Sequence, residues 1–100
     1  MGASTPEGKV KNRIDLILKA APFCKYTKPV LSPYGETMLD YVGCSKGRYF
    51  EIEAKRPGIN KATERQEIRM EGIRAAGGTT FFINGDQEQL DALEAWLHSN

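Results

Sequence analysis

The sequence predicts a small mixed α/β (α+β) domain of element order α-β-β-β-α-β-α, a small mixed sheet flanked by helices. Three observations predict it. Apolar residues recur at helical spacing from Val10 to Ala21. Residues 48–55 alternate after the turn Ser45-Lys46-Gly47, the mark of an antiparallel hairpin. The strand–helix–strand run 48–83 then implies a parallel pair with a right-handed crossover.

Each element has its own signal. Residues 1–4 read as a flexible leader before a single domain over 5–100. Thr5-Pro6-Glu7 starts the first helix, with Thr5 as cap, Pro6 at the first helical position and Glu7 at the positive dipole end. Val10, Ile14, Ile17, Leu18 and Ala21 form its apolar stripe, and Pro22 ends it. Residues 25–31 have room for a short strand, and Ser32-Pro33-Tyr34-Gly35 reads as a turn. Residues 38–44 form the next strand. In residues 48–55, Phe50, Ile52 and Ala54 share one face; Tyr49, Glu51, Glu53 and Lys55 share the other. Residues 62–76 read as a helix ended by Gly77-Gly78, and residues 79–83 as an apolar strand. Asn84-Gly85 turns into a last helix, with Asp86 and Gln89 spaced as a capping box and Leu90, Leu93, Trp96 and Leu97 facing inward.

Composition excludes several classes. The chain has 100 residues, 40% hydrophobic and 27% charged, too apolar for a disordered protein. No apolar run approaches the ~18 residues of a membrane span, and residues 1–11 lack the apolar core of a signal peptide. A cytoplasmic, reducing setting is the expectation, with Cys24 and Cys44 as small buried hydrophobes rather than a metal or redox pair. The single histidine, His98, sits where it favours a helix C-terminus and cannot build a His-rich zinc site. The net charge of +1 hides a division: residues 1–61 hold 11 basic against 6 acidic side chains, residues 62–100 hold 3 against 7. One basic face and an acidic helical half turned away from it are expected.

Polar residues out of place carry the chemistry. Glu7 sits at one end of the first apolar stripe, and Gln66 lies four and seven residues before Met70 and Ile73 on an inward face. Asp40 sits between Met38 and Val42, and Glu53 and Lys55 point the same way from a half-buried strand. Two carboxylates ~4–6 Å apart on adjacent strands repel by about 3–4 kcal/mol at an effective dielectric of ~20. A divalent cation between them reverses that sign. Asp40 and Glu53 are hard oxygen ligands suited to Mg²⁺ or Mn²⁺, which needs few carboxylates when water and phosphate oxygens complete its shell. Lys55 can position or deprotonate a water, or stabilise charge on a phosphate. Each residue alone has an ordinary explanation: an E-x-K strand face in solvent, a structural Asp, helix-start chemistry at Glu7, a satisfied amide at Gln66. Four such sites in four elements, converging on one end of a sheet, point to metal-assisted phosphodiester hydrolysis.

The run Leu39-Asp40, then Glu53-Ala54-Lys55 after the Lys46-Gly47 turn, resembles the PD-(D/E)xK nuclease superfamily. With Gln66, Ala75-Ala76-Gly77-Gly78 and the Thr5-Pro6-Glu7-Gly8 opening, it is similar to the VRR-NUC branch, in particular the minimal stand-alone forms carried by phages. The likeness spans residues 5–84. It implies a restriction-endonuclease-like core with a Mg²⁺ or Mn²⁺ site held by Asp40, Glu53 and the Ala54 carbonyl. It also implies Lys55 as the water-orienting or charge-stabilising group, Gln66 beside the metal, and Glu7 contributing from the first helix. Leu39 stands where the family usually has proline.

Lys9, Lys11, Arg13, Lys25, Lys28, Lys46, Arg48, Arg56 and Lys61 are candidate phosphate contacts for salt-sensitive, sequence-independent binding. Tyr26, Tyr34 and Tyr49 are candidates to stack on nucleic acid. No pattern implies direct base reading, which favours structure-selective cutting of branched DNA. The stand-alone family members resemble dimeric resolvases of four-way junctions, and paired incisions need two sites, so a homodimer is expected. Neither an organic cofactor nor a membrane is an expected partner. Two other readings stay open: a non-catalytic nucleic-acid-binding module whose carboxylates balance Lys55 and Arg56, and a protein–protein adaptor anchored by Trp96.

Overall fold

A computed structural model describes residues 5–30 and 37–99. The elements are α1 (Pro6–Ala20), β1 (Cys24–Thr27), β2 (Tyr41–Ser45), β3 (Arg48–Ala54), α2 (Glu64–Ala75), β4 (Thr79–Ile83) and α3 (Gln87–His98). This is the expected order. The leader, the Ser32–Gly35 turn and Tyr34 lie outside the described residues.

One four-stranded sheet of order β1-β2-β3-β4 organises the chain. β1–β2 and β2–β3 are antiparallel, and β3–β4 is the parallel pair that α2 bridges. The β2–β3 turn is two residues, not three: Ser45 pairs with Arg48, while Lys46 (φ 53°) and Gly47 (φ 82°) both adopt left-handed backbone. That geometry matches the twist of the flanking strands. β2 begins at Tyr41, later than the expected residue 38, because Leu39 and Asp40 meet β3 through side-chain contacts instead of a backbone ladder. β1 starts one residue before the expected 25–31 and ends at Thr27, with residues 28–30 outside it and residue 31 outside the described residues.

α1 starts as its sequence implies, with the Thr5 hydroxyl accepting from the Gly8 N–H at 3.0 Å. Its stripe of Val10, Ile14 and Leu18 packs with Leu90, Leu93 and Leu97 of α3 against Tyr41, Phe50, Ile52, Ala54 and Ile83. Each fully buried Val, Leu, Ile or Phe side chain among them contributes about 1.5–3 kcal/mol. Asp86 precedes α3 but makes no side-chain cap; Gln89 reaches back to accept from the Asn84 N–H at 2.8 Å. The capping box forms instead on α2, between Thr63 and Gln66.

α2 covers the opposite face of the sheet, where Glu51 and Glu53 point. β3 is therefore buried on both sides, from Phe50 to Ala54. The acidic side chains of residues 62–100 lie on α2, on α3 and at the residue before it, Asp86, so they stand on two sides of the sheet rather than one. The expected burial of both cysteines is corrected: Cys44 is exposed and Cys24 half-buried, both as free thiols, because Cys44 lies on sheet that α1 and α3 do not cover. No helix among the described residues is long and apolar enough to cross a membrane.

Gly43, central in β2, has no room for a side chain. A Cβ there would stand 2.5 Å from the Lys25 carbonyl oxygen and 2.7 Å from the Phe50 ring. Gly43→Ala is expected to destabilise the fold by about 1–3 kcal/mol. A urea midpoint equal to that of the wild type would refute the clash.

Candidate functional site

Three elements converge at the C-terminal end of β3. Tyr41 pairs with Ile52, so the next step along the register sets Asp40 opposite Glu53. Side chains opposite one another in an antiparallel pair share a face. The ladder ends there, and the Asp40 carboxylate replaces it: Oδ2 accepts from the Ala54 N–H at 2.9 Å.

Glu53 is 4% exposed. Its Oε2 accepts from Gln66 Nε2 at 3.0 Å and lies 3.5 Å from Lys55 Nζ. Gln66 is held for this by the capping box, its Oε1 accepting from the Thr63 N–H at 2.9 Å while its own N–H donates to Thr63 Oγ1 at 3.2 Å. One amide thus serves both the helix start and the carboxylate, with the positive end of the α2 dipole behind it.

Lys11, expected among the phosphate contacts, instead belongs to this cluster. Its Nζ lies 3.3 Å from Glu7 Oε2 and 3.7 Å from Asp40 Oδ1. Burial pulls the Lys11 ammonium down, but Asp40, Glu7 and Glu53 together outweigh it and hold the group above its ordinary value. Glu7 is the outermost member, at 44% side-chain exposure, joined to Asp40 through Lys11. All five predicted site residues, Glu7, Asp40, Glu53, Lys55 and Gln66, are therefore linked at one end of the sheet.

The charges are not fully balanced. Burial, then the Asp40 carboxylate, pushes Glu53 up to about 7 against the pull of Lys55. Among the described residues, no group of three or more His, Cys, Asp or Glu side chains forms a ready-made cation cage. The candidate donors are Asp40 and Glu53, with the Ala54 carbonyl as the further oxygen that the family resemblance implies. Two adjacent carboxylates fit a hard cation that keeps its waters and takes phosphate oxygens. The raised Glu53 carboxyl reflects burial first and repulsion from Asp40 second, and a cation would relieve the second.

The basic residues divide. Arg56 and Lys61, both exposed, lie in the loop between Lys55 and α2, and Lys9 is exposed on α1 two residues from Lys11. Lys46 and Arg48 are at the hairpin turn, roughly 20 Å away along β3. Arg48 stacks over Trp96 at 4.1 Å from the ring centroid and donates to the Trp96 carbonyl and Ser99 Oγ, both at 2.9 Å. Lys46 Nζ donates to the Ser99 carbonyl at 3.1 Å. These two therefore close the C-terminus of α3 rather than flank the carboxylates. Arg13 ties α1 to the α3 start through Gly85 O and Gln87, and Lys28 pairs with Asp15 at 2.8 Å. Lys25 is exposed on β1. Tyr26 packs against Tyr41, Tyr49 bonds Glu51, and Trp96 lies edge-on to Phe50 and Phe81.

Sequence reasoning missed Glu51 and Arg69. Glu51 reads as a solvent-facing strand residue, yet it is fully buried and salt-bridged to Arg69 Nη2 at 2.6 Å. Arg69 lies three residues after Gln66, one turn along the same face, which was the available signal. A trough of about 1320 Å³ runs between α2 and the hairpin, lined by Tyr49, Arg65, Ile68 and Gly78 among others, but none of Asp40, Glu53, Lys55 or Gln66 borders it. The carboxylate cluster and the larger hollow are therefore separate features of the surface.

No family model, curated protein or solved structure matches this chain.

The Glu53 carboxyl gives a signed pH dependence. Its folded value of about 7 exceeds the ordinary 4.5. The stability it contributes is fully present below pH 4.5 and is lost as pH rises through 7. In EDTA, the wild type is expected to lose on the order of 3 kcal/mol more than Glu53→Gln between those limits. Urea melts at pH 5 and pH 8 measure this; equal pH slopes for the two proteins would sink it.

Proposed function

We propose that this chain is a metal-dependent endonuclease that hydrolyses DNA phosphodiester bonds, selective for branched DNA such as four-way junctions and acting as a homodimer in a cytoplasmic setting. One observation carries the reading: Asp40 and Glu53 stand side by side at a strand end, with Lys55, Gln66 and Lys11 gathered on them. Perturbed carboxyls with a specific charge partner are features of catalytic sites. The VRR-NUC-like residue order, with its restriction-endonuclease-like core, supports the same class.

Asp40 and Glu53 would hold a Mg²⁺ or Mn²⁺ ion, the Ala54 carbonyl adding an oxygen. Bound there, the ion supplies Lewis-acid polarisation of the phosphoryl group and lowers the pKa of an attacking water. The protein's own residues do the rest. Gln66 fixes the Glu53 carboxylate through Oε2. Lys55, with a side chain 19% exposed, reaches both Glu53 and solvent. It orients the attacking water and offsets the negative charge that grows on the phosphate oxygens. Lys11 holds Asp40 from the other side and offsets its charge before substrate arrives. Arg56 and Lys61, in the loop that follows Lys55, supply backbone contacts, with Lys9 on α1 a further one, and their binding weakens with salt.

A second reading has one observation in its favour: Lys11, Lys55 and the Ala54 N–H answer the carboxylates within the chain. A non-catalytic nucleic-acid-binding module would look the same.

One experiment separates the two. A four-way junction and a matched linear duplex are incubated with Mn²⁺, Mg²⁺ or EDTA. The nuclease reading expects metal-dependent cutting of the junction, loss of at least 10²-fold in rate for Glu53→Ala and Lys55→Ala, and retained folding. Cutting that survives both substitutions rejects the assignment. Junction binding without nicking at any metal concentration, and unweakened in Asp40→Asn, selects the binding module.

A further inference from the structure

We infer that the buried cluster of Glu51, Arg69 and Tyr49 is a positioning device for Asp40; the inference rests on the metal-site reading above. Glu51 Oε1 accepts from the Leu39 N–H at 3.1 Å and from Arg69 Nε at 2.8 Å. Its Oε2 accepts from Arg69 Nη2 at 2.6 Å and from the Tyr49 hydroxyl. The carboxylate is 0% exposed and the Arg69 side chain only 14%.

Stability alone does not account for this arrangement. A buried ion pair is commonly no more stable than apolar side chains of the same volume. What an apolar pair cannot do is accept a bond from the Leu39 peptide. That N–H belongs to the residue directly before Asp40 and lies outside the backbone ladder, which begins at Tyr41. Glu51 supplies the acceptor that the ladder does not. Proline, usual at this place in the similar family, has no N–H to donate and fixes its own φ. Leu39 leaves φ free, and its bond to Glu51 restrains the peptide instead.

The chain of contacts runs from helix to carboxylate. Arg69 hangs from α2 and clamps Glu51 through both oxygens. Glu51 holds the Leu39 peptide, and Asp40 then reaches the Ala54 N–H. One turn earlier, Gln66 of the same helix holds Glu53. Both proposed metal ligands are thereby aligned by a single helix, one directly and one through two intermediates. Outer partners of this kind set ligand orientation, and their loss commonly lowers metal affinity ~10–100-fold.

The test is the double variant E51M/R69L, which removes the ion pair at similar volume and leaves the Leu39 N–H without its acceptor. Two readouts are taken: Mn²⁺ affinity by calorimetry, and amide exchange at Ala54 relative to the other β3 amides without metal. Expected are about tenfold or greater weakening of Mn²⁺ binding and selective loss of Ala54 protection in a folded protein. Unchanged Mn²⁺ affinity in the folded variant overturns the inference. Should the double variant not fold, R69K, which keeps the charge but loses the two-oxygen clamp on Glu51, is held to the same two outcomes. If the wild type binds no Mn²⁺, the metal-site reading falls. Ala54 exchange then decides the positioning role by itself: faster in the variant supports it, unchanged overturns it.

Discussion

A strand buried on both faces cannot carry carboxylates unless each is answered by a partner, and β3 carries two. They are two residues apart, face the same helix and have opposite fates. At Glu51, burial pushes the carboxyl up, but Arg69, Tyr49 and the Leu39 N–H outweigh it and hold the group below its ordinary value. At Glu53, burial and Asp40 prevail over Lys55. One carboxylate is satisfied and inert. The other is left needing positive charge, and the proposed chemistry is placed at that one.

The same constraint explains α2. Its apolar residues form no continuous stripe: Met70 is buried, while Ile68 is 64% exposed. The helix is joined to the sheet by Gln66 and Arg69 as much as by apolar packing. Polar contacts are directional where hydrophobic ones are not. A helix fastened in this way sets the angle of the side chains it touches, which suits the margin of a site better than the centre of a core.

Most of the architecture was legible because hydrophobic periodicity is a direct image of burial. The α1 and α3 stripes and the β3 alternation each named their inward residues. Asp40, Glu53, Lys55 and Gln66 were legible as polar residues on inward positions. Glu51 was not, because alternation assigns a strand two faces and cannot say that a second helix covers the polar one. The hairpin turn was read one residue too long, since Ser45 is equally at home in a turn or at a strand end. The capping box expected at Asp86 and Gln89 does not form, because Gln89 accepts from the Asn84 N–H instead. The contacts of Arg48 and Lys46 with the end of α3 were not legible, because a basic residue in a turn gives no hint that a helix C-terminus lies behind it.

That last pairing bears on how the chain folds. The β2–β3 hairpin closes over two residues, and such hairpins form in about 1–10 μs. The parallel β3–β4 pair must wait for the α2 crossover, and the contacts of Arg48 with Trp96 and Ser99 span 48 and 51 positions of chain. Loop-closure entropy puts contacts of such separation late. The hairpin end of the sheet is thus the seam at which the beginning and the end of the folding reaction meet. The carboxylate end has its strand partners as soon as the hairpin forms, and acquires Gln66 and Arg69 only when α2 docks.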